Sequence, residues 1–268
     1  MKPRAWTRLF PDGDTLVGMV HLQPLPGSPR WCGSMPGVLD AAVADARTLV
    51  SAGFDALMVE NYGDVPFHPD SVPAATVAAL TAAVQAIRDS VDVPVGVNVL
   101  RNDVASALGV AAATGASFVR VNVHVGAMWT DQGLLQGQAA DTLRLRTNLG
   151  LEKVAILADV HVKHAAPPVG STLEAAAADS WYRGLADALL VTGAGTGAAT
   201  NLGDAGAVRG TVPEAPVLVA SGVTEATVRS CLDSADGVIV GSSVMHGGRA
   251  GAGVDPDRAG SLVRAARE

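Results

Sequence analysis

The sequence predicts one α/β domain, a (β/α)8 TIM barrel, from its hydrophobic periodicity and its length. Short apolar runs rich in Val, Leu and Ile alternate with Ala-rich segments of helical period, which is typical of parallel strands buried on both faces. The chain has 268 residues, and α/β barrels of about 250 residues form single domains. We therefore expect one domain over 1–268, with 1–14 as an N-terminal extension. An open doubly wound sheet is the structural alternative.

Eight segments have the composition of buried strands, and a helical segment follows each of them. The predicted strands cover 16–22, 56–61, 94–100, 118–123, 153–160, 188–193, 216–222 and 237–243. The predicted helices cover 37–52, 72–90, 103–114, 137–149, 171–184, 204–210, 224–233 and 256–266. A glycine separates helix from strand at Gly53, Gly115 and Gly184. Because glycine adopts the left-handed conformation that commonly ends a helix, we expect a positive φ at all three.

The composition favours a small molecule as the partner. The formal net charge is −7, and no run of Lys or Arg resembles the basic stripe of nucleic-acid-binding proteins. No apolar stretch reaches the roughly 18 residues of a membrane span, and the N-terminus lacks the apolar region of a signal peptide. Cys32 and Cys231 form no CxxC motif, so neither a disulfide nor structural zinc is expected. We expect a cytoplasmic protein with no nucleic-acid partner and no membrane span.

Polar residues interrupt five predicted strands near their carboxyl ends, where such a barrel carries its active site. Strand side chains alternate between the barrel interior and the helix layer, so residues of matching parity share the interior. The polar residues that share it are His21, Glu60, Asn98, Arg120, Asn122, Asp159 and His161. Buried polar groups satisfy one another or meet a polar ligand. The set is either a substrate site or a core fixed by a pair such as Arg120 with Glu60.

Lys163 follows the strand at 153–160 and stays in step with Asp159 and His161. It is one of only three lysines in a chain that otherwise uses arginine for positive charge. A lysine at this place can bind an anion, orient a carboxylate or form a Schiff base, and arginine does not replace it in the last role. A solvated loop lysine is the plainer interpretation.

Glycines and hydroxyls at the ends of the last strands predict a phosphate site. Loops after the seventh and eighth strands of such barrels often bind phosphate through backbone N–H groups. Here those loops begin with Ser221, Gly222, Gly241 and Ser242. The strand before them runs into Thr192 and Gly193, which would contact another part of the ligand. Glycine turns without a ligand are the alternative.

The long connection HVGAMWTDQGLLQG, after the strand at 118–123, is either a lid over the active face or an ordered surface excursion. An acidic rim at Glu60, Asn61 and Asp64 could attract a divalent ion, but no fixed ligand spacing such as HExxH is present. We therefore expect no metal and no other cofactor.

The motifs VGMVHLQPLPGSP, VENYGDVPF, VNVLRNDVASAL, FVRVNV, TDQGLLQG, ADVHVKHA and SGVT resemble the BtpA/SgcQ family along nearly the whole chain. The resemblance implies a barrel of the ribulose-phosphate-binding type. One branch of that family is associated with photosystem I assembly or stability, and another with a nucleosidase function. It also puts further residues at family-typical positions, namely Asn61, Asp64, Arg101, Asn102, Asp103, Asp131 and His164. After the last strand this chain reads GSSVMHGGRAGAG, where the family usually has a lysine and a DG pair.

These observations favour an enzyme that hydrolyses the N-glycosidic bond of a ribosyl or phosphoribosyl compound. The reaction needs a carboxylate to activate water and an acid to protonate the departing base. We expect Asp159 or Glu60 in the first role and His161 or His21 in the second. Lys163 and Arg101 would hold anionic groups. The remaining substrate contacts are expected from Asn98, Arg120, Asn122, Asp131, Thr192 and Gly193.

Two other functions stay open at this stage. One is Schiff-base aldolase or isomerase chemistry at Lys163. The other is a non-enzymatic assembly or stability factor, which predicts an exposed apolar patch outside the barrel. The Ala-rich helix faces also suit an interface between copies of the chain, and we expect a homo-oligomer.

Overall fold

The computed structural model describes residues 4–193 and 195–268, and its centre is a closed barrel. The described strands are β1 (Thr15–His21), β2 (Ala56–Glu60), β3 (Val95–Asn98), β4 (Phe118–Val121), β5 (Ala127–Thr130), β6 (Gly133–Gln136), β7 (Ala155–Val160), β8 (Ala165–Ala166), β9 (Ala188–Val191), β10 (Val217–Val219) and β11 (Gly237–Val240). Eight of them pair in parallel and close in the order β1, β11, β10, β9, β7, β4, β3, β2. Each overlaps one predicted strand, so the predicted TIM barrel is confirmed.

Helices surround the barrel in the positions that the periodicity predicts. The described helices are α1 (Ala5–Leu9), α2 (Met35–Ala52), α3 (Ala74–Arg88), α4 (Val104–Thr114), α5 (Ala139–Asn148), α6 (Leu173–Ala178), α7 (Leu202–Thr211), α8 (Val228–Ser234) and α9 (Pro256–Arg267). A π-helical turn, Asp179–Arg183, extends α6. From α2 onward, each helix overlaps a predicted one. Apolar faces of these helices and the outward faces of the strands form the larger core of the molecule.

Two of the three glycine predictions are confirmed. Gly53 and Gly115 end α2 and α4 with φ of 104° and 70°. The third is wrong, because Gly184 has an ordinary negative φ and Leu185 takes the positive one. A glycine is nevertheless required at 184, since a Cβ there would lie 2.8 Å from the carbonyl oxygen of Ser180.

Inside the barrel, a second apolar cluster fills the lower layers, as alternation along each strand dictates. Its residues from the strands are Val17, Met19, Ala56, Met58, Phe118, Ala155, Leu157, Ala188, Leu190, Leu218 and Ile239, and Ala220 joins them just after β10. Gly96 of β3 leaves room for the Phe118 ring, because a Cβ at position 96 would lie 2.1 Å from that ring. The inward parity predicted for Met19, Met58 and Gly96 is therefore the one that the barrel adopts.

Helix α1 closes the amino end of the barrel. Trp6 is almost completely buried in the inner cluster, with its ring centroid 5.4 Å from that of Phe118 and 4.5 Å from that of Phe10. The carboxylate of Asp187 accepts a hydrogen bond from the backbone N–H of Ala5 (3.0 Å) and anchors the start of the helix. The predicted N-terminal extension thus contains an element of the core, and only the carboxyl end of the barrel stays open.

A small antiparallel sheet stands at the open end. Strands β5 and β6 form a hairpin, and β8 pairs with the other side of β5. This hairpin is the long connection after β4, so the segment is an ordered excursion with secondary structure of its own. Trp129 and Leu134 are cross-strand partners on the hairpin and are 57% and 40% exposed.

Candidate active site

Three neighbouring strands carry His21, Glu60 and Asn98 in one row at the open end of the barrel. The strand register pairs His21 with Glu60 and Glu60 with Asn98. Asn98 Nδ2 donates a hydrogen bond to Glu60 Oε2 (2.6 Å), and His21 Nε2 lies 3.8 Å from Glu60 Oε1. One carboxylate oxygen is thus fixed by the amide, while the other has only the more distant His21 Nε2 as a partner among the described side chains.

Asp159 holds two other predicted residues in place. Its carboxylate accepts hydrogen bonds from Arg120 Nε (3.1 Å) and Nη2 (2.9 Å) and from Asn122 Nδ2 (2.6 Å). The Arg120–Asp159 ion pair is almost completely buried, and attraction from Asp159 raises the pKa of Arg120 although desolvation opposes it. Arg120 therefore pairs with Asp159, not with Glu60. Both oxygens of Asp159 are engaged, which favours Glu60 for chemistry and Asp159 for positioning.

His21 is held as a neutral imidazole. Burial lowers the pKa of His21 to about 4, and the nearby cations Lys163 and Arg120 also lower it while Glu60 opposes them. Its Nδ1 accepts a hydrogen bond from the backbone N–H of Gly251 (3.2 Å), which leaves the ring proton on Nε2, the atom that faces Glu60. The Tyr62 ring stacks on the imidazole at 4.3 Å between centroids.

A cavity of about 540 Å³ opens above this polar layer, and we call it the central cavity. Charged and polar side chains come from the barrel strands and from the loops after β3, β4, β5, β7 and β9. Apolar side chains come from the loop after β2 and from the end of β3. The lining residues are Glu60, Tyr62, Val65, Phe67, Leu100, Arg101, Arg120, Asn122, Asp131, Lys163, His164 and Thr196. Such a pocket can place a planar apolar group beside a polar, charged one.

Lys163 and Arg101 bring two cations to the central cavity, and no carboxylate within residues 4–193 and 195–268 forms an ion pair with either. Burial lowers the pKa of Lys163, and repulsion from Arg120 lowers it further. The Lys163 ammonium has no hydrogen bond or ion pair with any residue in the described ranges. Arg101 Nη2 donates to the carbonyl oxygen of Lys163 (2.6 Å), while its buried Nε has no partner among the described residues. Free donors of this kind suit an anionic or hydroxylated ligand.

Two buried asparagines fix the backbone that carries these side chains. Asn61 accepts a hydrogen bond from the N–H of Leu100 (2.7 Å), and its amide donates to Asp64 (3.1 Å). Asn102 accepts from the N–H of Val123 (2.9 Å) and donates to the carbonyl oxygen of the same residue (3.0 Å). These residues sit beside Arg101 and Asn122, so they hold the rim of the central cavity in one conformation.

His161 is predicted with the central group but faces another space. Its Nε2 lies 3.0 Å from the hydroxyl of Ser171, and it lines a separate cavity of about 260 Å³ beneath the hairpin. The backbone of His161 has a φ of +53°, so its side chain does not continue the inward and outward alternation of the β7 side chains. Asp159 and Asn122 also line that cavity. Asn122 therefore lies between the two spaces, and its buried Oδ1 has no partner in the described chain.

The predicted phosphate residues Ser221, Gly222, Gly241 and Ser242 gather around a much smaller space of about 30 Å³. His21, Arg120 and Lys163 line the same space. Thr192 is buried at the end of β9 without a hydrogen-bond partner for its hydroxyl among the described residues. At Gly193 a Cβ would lie 2.4 Å from the carbonyl oxygen of Ala198, so backbone packing accounts for that glycine.

Some lining residues carry no strong sequence signal. Tyr62 and Phe67 follow β2 in the segment NYGDVPF, where an aromatic residue next to a rim is as typical of packing as of binding.

Within residues 4–193 and 195–268, no three His, Cys, Asp or Glu side chains cluster as metal ligands. In the same ranges no helix combines the length and the hydropathy that crossing a membrane would require.

Comparison with known proteins identifies the relatives of the chain. The model of the BtpA family matches residues 12–268. The photosystem I biogenesis protein BtpA of Synechocystis is 42% identical over 259 residues, which cover 97% of this chain and 90% of that protein. An uncharacterized protein of Thermococcus kodakarensis is 46% identical over 94% of this chain and 95% of its own length. The resemblance predicted from the motifs is confirmed.

Solved structures give the same architecture at low identity. A tryptophan synthase chain of Mycobacterium tuberculosis superposes with a TM-score of 0.65 at 19% identity, covering 98% of this chain and 97% of that chain. The N-(5'-phosphoribosyl)anthranilate isomerase of Pyrococcus furiosus superposes with a TM-score of 0.58 at 15% identity, covering 95% of this chain and 98% of that one. At these identities the likeness establishes the barrel fold alone.

Proposed function

The chain belongs to the BtpA family, and from that premise we propose that its barrel mouth is the active site of an enzyme that hydrolyses the N-glycosidic bond of a ribosyl or phosphoribosyl compound. One observation carries the proposal. The carboxylate of Glu60, the unpaired ammonium of Lys163 and the aromatic rings of Tyr62 and Phe67 line the same central cavity. A nucleoside presents a sugar and a planar base, and the cavity offers a polar and an aromatic surface to match.

Glu60 is the carboxylate assigned to the reacting carbon. Its Oε2 is held by Asn98, and its other oxygen can take a proton from water as that water adds to C1' of the sugar. The bond between C1' and the base nitrogen breaks, and the electron pair leaves with the base. The neutral His21, with Nε2–H toward Glu60, acts as a positioning residue for the carboxylate.

Lys163 is the acid assigned to the departing base. Because burial lowers the pKa of its ammonium, Lys163 gives up a proton more readily than an exposed lysine. The proton moves from Nζ to the leaving nitrogen, and the proton held by Glu60 returns to Lys163 through solvent before the next turnover. Arg101 adds positive charge that favours a base leaving with negative charge.

The test measures release of free base from nucleosides and nucleoside monophosphates by chromatography. Glu60→Gln should lower kcat by a factor of about 10² to 10⁴ without changing the melting temperature by more than a few degrees. Glu152→Gln is the matched control, because Glu152 is an exposed carboxylate outside the central cavity. Release of no base from any of these compounds, or an unchanged kcat in Glu60→Gln, would overturn the assignment.

Schiff-base chemistry at Lys163 is a second candidate, supported by the unpaired ammonium with its lowered pKa. Amines of this kind attack carbonyl carbon and release water to give an imine, which borohydride reduces to a stable adduct. Trapping with ribose 5-phosphate, followed by mass mapping, separates this chemistry from hydrolysis. An adduct on Lys163 supports it, whereas an adduct only on Lys153 or none at all removes it.

A role in binding another protein is a third candidate, since a relative is a photosystem I biogenesis protein and this chain exposes Trp129 and Leu134 side by side. Complementation distinguishes it from catalysis. In a Synechocystis strain that lacks its own relative, this chain would restore photosystem I. If protein binding is the function, the double variant Trp129→Ser/Leu134→Ser fails while Glu60→Gln succeeds. The reverse result supports the enzyme.

A further inference from the structure

The backbone site that the sequence predicts for a phosphate is filled by the chain itself. The single hydroxyl proton of Ser221 is shared between two acceptors, the carbonyl oxygens of Gly195 (3.0 Å from Oγ) and Ala198 (3.1 Å). At Gly222 a Cβ would lie 2.4 Å from the carbonyl oxygen of Ala198, so that segment lies directly against the glycine. The remaining space of about 30 Å³ has room for about two water molecules, which is less than a phosphate group needs.

On the other side of the same segment is a much larger space, which we call the outer cavity. It measures about 840 Å³ and lies between the loop after β10, the turns after β11 and the start of α9. Tyr62 and Thr196 line both the outer and the central cavity, so the two cavities are neighbours that share these two residues as walls. The polar residues that matter in it are Glu225, Ser243, Arg249 and Arg258.

The outer cavity has donors without acceptors. Arg249 is exposed, and its guanidinium has no hydrogen bond or ion pair with any residue that the structure describes. The hydroxyl of Ser243 is buried and has no partner among those residues either. Arg258 is held in place, because its Nη1 donates to the carbonyl oxygen of Ser243 (3.1 Å) and its Nε lies 3.9 Å from Asp255. Glu225 also lines the cavity, and of the two arginines only Arg258 has a carboxylate partner among the described residues, Asp255.

The loop that carries Arg249 also touches the proposed catalytic group. The backbone N–H of Gly251 donates to Nδ1 of His21, and the Tyr62 ring lies against Gly251 while it stacks on the imidazole. A ligand that reaches Arg249 from the central cavity therefore passes Tyr62. In the sequence, Arg249 lies two positions before Gly251, the residue that donates to His21.

We propose that the outer cavity is the binding site for the phosphate group of the substrate, held by the side chains of Arg249 and Ser243 in place of the backbone of Gly222 and Gly241. Guanidinium and hydroxyl donors recognise phosphate oxygens through charge-assisted hydrogen bonds. The ligand class is a phosphorylated sugar or nucleotide whose sugar occupies the central cavity. The assignment rests on the proposed function for the sugar, but the anion site can be tested without turnover.

The test uses titration calorimetry of the full chain with inorganic phosphate, ribose 5-phosphate and ribose. Arg249→Gln should weaken binding of both phosphates by about ten- to a hundredfold, and Ser243→Ala by a smaller factor. The affinity for ribose should not change in either variant. Arg264→Gln is the matched control, because Arg264 is an exposed arginine of α9 outside the cavity.

The outcomes separate this proposal from the proposed function. Weaker phosphate binding in Arg249→Gln, without release of base from any nucleoside, retains the anion site and removes the hydrolase. Unchanged phosphate affinity in Arg249→Gln overturns the anion site even if Glu60→Gln loses turnover. Failure of the wild-type chain to bind inorganic phosphate and ribose 5-phosphate overturns the anion site as well.

Discussion

The two ends of the barrel are built from the same eight strands but in opposite ways. At the amino end, α1 inserts Trp6 against Phe118 and excludes water, and the layers above it are apolar. At the carboxyl end the inward positions are polar or charged, and a cavity of about 540 Å³ stays open over them. The amino end maximises apolar burial, whereas Lys163 and Arg101 at the carboxyl end have no carboxylate partner in the part of the chain that the structure describes.

This difference indicates where stability and function reside. A buried apolar ring stabilises the fold by the area that it removes from water. Buried donors without acceptors destabilise it unless a ligand supplies the acceptor. Substitutions in the apolar layers at the amino end should therefore lower stability. Substitutions of the unpaired donors at the carboxyl end should lower ligand binding.

The largest expected effect on stability is at the amino end. Trp6→Ala should lower the free energy of unfolding by about 3 to 5 kcal/mol, because a fully buried ring is removed and a cavity remains. Urea denaturation measures the change, and Trp129→Ala, on the exposed hairpin, should lower it by less than about 0.5 kcal/mol. The comparison of the two ends fails if Trp6→Ala also weakens ribose 5-phosphate binding at a temperature where the variant is folded.

Asp159→Asn tests a part of the open end that should also support stability. The variant leaves the buried Arg120 without its charge partner, and the free energy of unfolding should fall by about 3 kcal/mol. Asp179→Asn breaks the exposed ion pair with Arg183 and should change it by no more than about 1 kcal/mol. Equal effects of the two variants in urea denaturation would contradict the structural role of Asp159.

The pH dependence of the free energy of unfolding tests whether His21, at the open end of the barrel, is buried and neutral. Its pKa of about 4 in the folded chain lies below the ordinary value of 6.5, so between these values the unfolded chain binds more protons. The stabilisation is complete above pH 6.5 and is lost as the pH falls toward 4, by at most about 1.4 kcal/mol per pH unit. Urea denaturation at several pH values should give a shallower dependence for His21→Asn than for the wild type. Identical curves would contradict a neutral, buried His21.

The smallest expected effect on stability is that of Lys163→Met. The ammonium is half-buried, repelled by Arg120 and without a hydrogen-bonded partner among the described residues, so its loss should change the free energy of unfolding by less than about 1 kcal/mol, in either direction. Lys153→Met, at an exposed position, is the control. A loss of several kcal/mol in Lys163→Met would mean that Lys163 belongs to the structural core.

Periodicity predicted the fold well, because parallel strands buried on both faces leave a strong apolar signal. It also predicts which strand side chains face the barrel interior, because side chains along a strand alternate with a period of two. This alternation holds up to Asn98 on β3 and Asp159 on β7. The prediction for His161 differs from its observed place because the strand ends at Val160 and the backbone then takes a positive φ. The prediction for Gly184 is wrong because close packing against the carbonyl oxygen of Ser180, not a left-handed turn, requires a glycine there.

The cavity was less predictable than the strands around it. Loop residues such as Tyr62 and Phe67 are brought to the central cavity by the path of the chain after β2, which no periodicity encodes. The sequence also does not reveal which of the inward side chains pair with each other. Parity alone does not predict that Arg120 pairs with Asp159, or that Asn98 donates a hydrogen bond to Glu60. The segment that fills the glycine site at Gly222 comes from the previous βα loop.

The most direct test of the central claim is the thermal unfolding of the wild type and of Lys163→Met in increasing concentrations of ribose 5-phosphate. A ligand at about 100 times its Kd stabilises a folded protein by about 2.7 kcal/mol, and the melting temperature rises accordingly. We expect this rise in the wild type. Lys163→Met should need at least a tenfold higher concentration for the same rise, because the variant lacks the ammonium that would donate to the sugar hydroxyls in the central cavity. No rise in the wild type, or equal rises in both proteins, would contradict a ribosyl-phosphate site at the mouth of the barrel.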